Sequence, residues 1–169
     1  MTLTSALGAL NHLEATQRAQ ELFKCCSSHA WVKNINQRFP FESEEALFVK
    51  ARLLWFELGE KDMMEAFSHH PRIGDRVKSA SWASQEQAST LSAAAGDLAL
   101  LKTLNEEYEK KFPHVFLICA TGKSVEEMLS ELKRRIALSL EEEFLNASIE
   151  QSKITQLRLQ KLLEGFRQS

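Results

Sequence analysis

Apolar residues recur at three- and four-residue intervals through most of this chain, and few breakers interrupt them. That repeat is the period of a helix face rather than the alternation of a strand, so it restricts the fold more than any other feature. The run "FESEEALFVKARLLWFELG", residues 41–59, is the clearest case. Ser43 stands as an N-cap, acids fill the first turn, and Gly59 closes the segment. Ala46, Leu47, Val49, Leu53, Leu54 and Leu58 are expected to form a broad inward stripe. Six glycines and three prolines in 169 residues are too few for the many turns of a sandwich or barrel.

The remaining segments repeat the pattern. Residues 5–26 read as one or two helices, with Leu13, Ala19, Leu22 and Phe23 among the apolar positions. A short helix runs through "KDMMEAF". Two more are expected over residues 84–95 and 97–112, with Gly96 between them and Pro113 ending the second. "SVEEMLSELKRRIALSL" opens with a capping box from Ser124 to Glu127, and a last long helix covers residues 141–165. "HVFLICATGKS" is ambiguous, because its β-branched and aromatic residues also suit a short strand. With no partner strand elsewhere, a buried extended or helical connection is expected. The expectation is one all-α, compact multi-helix domain over residues 1–169.

Charge excludes some partners. The 21 basic and 23 acidic residues give a net charge of −2, so no field favours nucleic acid or a membrane surface. The N-terminal sequence lacks a basic start followed by a long apolar run, and no apolar stretch is long enough to span a bilayer. The final "GFRQS" is not a peroxisomal address. Cys25, Cys26 and Cys119 show no metal-ligand spacing and suit a reducing compartment. These features predict a soluble, cytoplasmic protein.

Three stretches carry chemistry. In "AFSHHPRIGDR", residues 66–76, Pro71 disfavours helical geometry at His70, Gly74 permits a tight turn, and Asp75 can cap the next segment. His70 is thereby held on a stiff corner, and its imidazole exchanges protons near neutral pH. The bland alternative is a polar interhelix loop with a surface histidine pair. In "SWASQEQAS", Glu86 and Gln87 fall in a first helical turn, where free N–H groups keep a carboxylate ionised. An ionised acceptor beside an amide can hold a ligand rich in ureido and carbonyl groups, although acids near a helix start are also common. Arg158 shares a stripe with Ile154 and Leu162, so it needs an anionic or carbonyl partner unless it snorkels from the stripe's edge. Arg134, with Ser130 and Glu131 one turn before it, reads as solvated. His69, His70, Asp75 and His114 do not have helical metal-ligand spacing, so no metal site is assigned. Cys119 reads as buried and inert, and Trp31, Trp55 and Trp82 as core packing.

Taken in order, "HHPRIGD", the "EQ" at 86–87, "LNEEYEKKF" followed by "VFLICATGKS", and "KITQLRL" resemble one family. It is the 2-oxo-4-hydroxy-4-carboxy-5-ureidoimidazoline (OHCU) decarboxylase family, which completes the degradation of urate to (S)-allantoin. The resemblance covers about residues 5–165. It implies an all-α fold, a homodimer, the small-molecule substrate OHCU and no cofactor. It assigns proton transfer to His70, with Glu86 and Arg158 as its catalytic companions. Substrate contacts fall on Pro71, Ala83, Ser84, Gln85, Glu86, Gln87, Phe116, Leu117, Ile118, Cys119, Ala120 and Arg158, those of 116–120 largely through the backbone. Ala83 stands where the family often has serine, so the hydroxyl contact is absent or supplied by Ser84. "KFPHVF" replaces a more usual "KFGFPF"-like run. The competing class is a helical protein-binding adaptor, which expects His70, Glu86 and Arg158 on separate surfaces, whereas an enzyme expects them around one pocket. A metal-dependent hydrolase would need His69 and His70 to share an ion.

Overall fold

Serine caps and apolar stripes set the helices of the computed structural model, which describes residues 5–74, 86 and 95–169. Among the described residues there are eight helices and no strand. They are α1 (Ala6–His12), α2 (Ala15–Cys25), α3 (His29–Asn36), α4 (Glu44–Phe56), α5 (Glu60–Ser68), α6 (Ala95–Lys111), α7 (Val125–Ile136) and α8 (Leu140–Gln168). The chain divides into two compact units, Met1–Ala66 with Ser152–Ser169, and Phe67–Gln151. No helix among the described residues is long and apolar enough to cross a membrane.

In the first unit the hydroxyls of Ser5, Ser28 and Ser43 accept backbone N–H groups of Gly8, Trp31 and Ala46, satisfying donors that a helix start leaves without partners. The 5–26 region forms two helices, parted at Leu13 and Glu14. Helix α3 was not anticipated from the sequence. Its Ser28 cap and its buried Trp31, Val32 and Ile35 account for it. Trp31 and Trp55 are buried as expected, and the Trp31 indole N–H donates to the Ala51 carbonyl at 3.0 Å. Each large apolar side chain buried here contributes about 1.5–3 kcal/mol.

The inward stripe of α4 needs correction. Leu47, Ala51, Leu54 and Trp55 are buried, while Val49 and Leu53 are 44% and 47% exposed. At about 100° per residue, Val49 lies nearly opposite Leu47, so one face cannot hold both.

The second unit packs Ile73, Leu101, Leu104, Tyr108, Phe112, Phe116, Met128, Leu129 and Leu132 into one core. The capping box opening α7 forms in both directions, between Ser124 and Glu127. Gly96 does not separate two helices. It lies in the first turn of α6, where few helical hydrogen bonds depend on the residue. Of the expected 84–95 helix, residues 84–94 lie outside the described residues apart from Glu86, which is helical. Helix α6 ends two residues before Pro113, and 115–120 forms neither helix nor strand.

Candidate functional site

The corner at His70 is built by removing helix propagation and then fastening each step of the chain. The His70 backbone N–H donates to the Phe67 carbonyl at 3.2 Å, closing the last turn after α5. Pro71 has no N–H to continue it. Arg72 pairs with Glu109 of α6 at 2.6 Å, and the buried Asn105 amide donates to the Ile73 carbonyl at 3.0 Å. Gly74 turns the chain at φ 92°, and a Cβ there would stand 2.9 Å from the Leu101 side chain. Positive φ and close packing together demand glycine. Four of the five positions from His70 to Gly74 are thus held by contacts within the second unit.

This fastening aims the His70 ring at a residue that no sequence motif marks. His70 is half-buried, and its Nε2 lies 2.6 Å from Oε1 of Gln151 on α8. Gln151 is fully buried. The neighbouring Glu150 accepts the Cys119 backbone N–H at 3.0 Å. Two consecutive residues of α8 therefore meet the imidazole and the Cys119 backbone.

In the segment after α6, Phe116, Leu117, Ile118 and Ala120 are all buried. Cys119 is only partly buried, which corrects the expectation of a buried thiol. Backbone groups of this segment are already engaged, since the Leu117 carbonyl accepts from Arg135 at 2.6 Å.

Arg135 and Glu143 are both 0% exposed, and the guanidinium grips the carboxylate through Nε and Nη2. Arg135 also lies 4.5 Å above the Phe116 ring, and the Tyr108 hydroxyl donates to Glu143 at 2.6 Å. Burial and the adjacent carboxylate push the Tyr108 pKa well above its ordinary value. Arg134 is exposed and pairs with Glu131, as expected of a solvated face. Arg135 itself had a legible signal: it falls three residues after Leu132 and seven after Met128, on their buried face. His114 lies apart from the corner's hydrogen bonds, packed against Tyr108, Phe112 and Phe67.

Arg158 belongs to the first unit. It is 9% exposed and donates to the Lys24 carbonyl at 3.4 Å, so a carbonyl partner is among those it finds. Its charge opposes the effect of burial on two neighbouring thiols. Burial still wins, holding Cys25 far above its ordinary pKa and pushing Cys26 up to about 12. Glu86 is helical and half-buried. Asp75, Trp82, Ala83, Ser84, Gln85 and Gln87 lie outside the described residues.

Known proteins share these residues' framework. The sequence model of the OHCU decarboxylase family matches residues 11–160. A uric acid degradation bifunctional protein of Arabidopsis thaliana is 38% identical over 149 residues, covering 82% of this chain and 45% of its own length. A 2-oxo-4-hydroxy-4-carboxy-5-ureidoimidazoline decarboxylase of Amia calva is 38% identical over 80 residues, covering 47% of this chain and 46% of its own. The chain thus spans under half the length of these two curated relatives. The crystal structure of an OHCU decarboxylase in the presence of (S)-allantoin is similar with a TM-score of 0.76 at 36% identity, covering 85% of this chain and 98% of that one. By the extent of the family match, this all-helical chain belongs to the OHCU decarboxylase family.

Proposed function

We propose that the chain is a single decarboxylase domain that converts OHCU to (S)-allantoin in urate degradation, as a cytoplasmic homodimer. The observation that carries this reading is the family match over residues 11–160, joined to a solved decarboxylase likeness that covers nearly all of that chain.

The chemistry explains why such a site needs little beyond side chains. In OHCU the departing carboxylate sits on a carbon beside a C=N bond. The electron pair left when carbon dioxide departs delocalises into that imine. The substrate is its own electron sink, so the reaction asks for no organic cofactor or metal. The protein holds the planar ring, stabilises developing charge and delivers a proton to one face.

In this reading His70 carries the proton, Glu86 orients the ring, and Arg158 grips a substrate oxygen through its forked donors. Pro71, Ala83, Ser84, Gln85, Gln87 and Phe116–Ala120 supply the remaining contacts. The fastened corner around His70 supports its assignment, because a general base works only within hydrogen-bond reach of its proton.

Product chirality tests the proposal. OHCU also decays spontaneously to racemic allantoin, so product appearance alone decides nothing. OHCU is generated in place from urate with urate oxidase and the following hydrolase, and circular dichroism follows the allantoin formed. The expected result is (S)-allantoin accumulating faster than in the mixture lacking this protein. Optically inactive product at the background rate contradicts the proposal.

A further inference from the structure

Arg135 divides its donors between two partners. Nε and Nη2 face the Glu143 carboxylate, and Nη1 donates to the Leu117 carbonyl at 2.6 Å. A guanidinium is planar, so fixing one edge against a carboxylate also fixes where the third nitrogen points. The Tyr108 hydroxyl donates to the same carboxylate at 2.6 Å, and the guanidinium lies 4.5 Å above the Phe116 ring. Arg135, Glu143, Tyr108, Phe116 and Leu117 are all buried.

A buried ion pair adds little stability over apolar side chains of the same volume, because desolvating two charges offsets their attraction. What apolar side chains cannot do is hold a carbonyl in one direction. In a trans peptide the C=O and the next N–H point opposite ways. Turning the Leu117 carbonyl to Arg135 therefore turns the Ile118 N–H away from it. One peptide further on, the Cys119 N–H donates to Glu150 at 3.0 Å, which turns the Ile118 carbonyl away from Glu150. Both backbone groups of Ile118, a donor and an acceptor, thus have set directions. The ureido group of OHCU also carries both.

We infer that Arg135, braced by Glu143, is a positioning residue for substrate binding: it holds the Leu117 carbonyl so that the backbone of Phe116–Ala120 meets the substrate in one orientation. This rests on the proposed substrate contacts of that segment. The neighbouring Arg134, exposed and paired with Glu131, has no such task and serves as the control.

Tyr108→Phe, Arg135→Met and Glu143→Leu are combined in one protein, which leaves neither a buried lone charge nor an orphaned hydroxyl. It should melt near the parent, while the Leu117 carbonyl loses its donor. With OHCU generated in place at graded concentrations, KM should rise on the order of tenfold, the effect of losing one hydrogen bond from a charged donor. A merely structural role would lower the active fraction and the melting temperature, neither of which moves KM. Parental KM in the folded triple variant overturns the inference. Arg134→Met should keep the parental KM, and an equal rise there would show an effect of charge alone and overturn it too. If the triple variant does not fold, Arg135→Lys decides. It keeps the charge beside Glu143 but lacks the fork that serves both partners at once, so KM should still rise, and a parental KM overturns the inference. Amide hydrogen exchange separates this claim from the reading beneath it. (S)-Allantoin should slow exchange across Phe116–Ala120 in the parent. If it does not, the substrate contacts of that segment fail and the inference with them. If it does, and the triple variant binds (S)-allantoin as tightly as the parent, only the role of Arg135 fails.

Discussion

Two histidines of the second unit adjoin prolines, His70 before Pro71 and His114 after Pro113, and the fold treats them in opposite ways. His70 is half-buried, on a corner fastened residue by residue, with its ring against a neutral amide. His114 is buried among aromatic rings, its Nδ1 3.0 Å from the Val115 carbonyl and 3.4 Å from the Tyr108 hydroxyl. Burial holds the His114 pKa below its ordinary value. The order of the two residues accounts for part of the difference. A proline after the histidine pushes that histidine out of helical geometry, whereas Pro113 ends α6 and lets the next residue fold back against it. A histidine beside a proline is therefore not yet a site. What separates the two is the setting of the ring, aromatic packing at His114 and a half-buried place against a buried amide at His70.

The sharpest way to break the comparison is to remove the ion pair behind His114. Arg135→Met leaves the Glu143 carboxylate buried without its guanidinium, which should cost about 3–5 kcal/mol of stability. Chemical denaturation measures it. A loss below about 1 kcal/mol, the range of exposed pairs, would mean that water reaches the pair and that the His114 side is not a closed core.

A smaller effect sharpens the same contrast through pH. The folded His114 ring resists protonation, while the unfolded ring protonates near its ordinary value of about 6.5. Between the depressed folded pKa and about 6.5 the unfolded state binds the extra proton, so stability rises with pH there. The contribution is full above about 6.5 and is lost as pH falls toward the folded pKa. His114→Phe should flatten the fall in stability below about pH 6.5 by less than about 1.4 kcal/mol per pH unit, the ceiling for one proton. Melting curves across that range measure it, and an unchanged slope would contradict a neutral, packed His114.

Much of the fold was legible because its signals are local. The caps at Ser43 and Ser124 and the stop before Pro113 are decided by a few adjacent residues. The expected α4 stripe fails at Val49 because residue type alone ignores the turn of about 200° that separates it from Leu47. Arg134 and Arg135 show the same point more severely. They are neighbours in sequence, yet one is solvated and the other fully buried against an acid eight residues away. At the candidate site, "HHP" and Gly74 announced the corner. Gln151 did not announce itself, because its partner lies 81 residues earlier and a lone glutamine on a helix carries no periodic signal. A hint was present. Glu143, Ser148, Gln151, Thr155 and Arg158 make half of the buried positions of α8 polar, and buried polar groups need partners.

His70, rather than its counterpart His114, is the proposed proton carrier. Turnover of generated OHCU by His70→Asn and His114→Phe, read by circular dichroism of newly formed allantoin, tests it directly. His70→Asn should lose on the order of a hundredfold or more in kcat, while His114→Phe stays near the parent where it remains folded. A His70→Asn protein that makes (S)-allantoin at the parental rate would contradict the account.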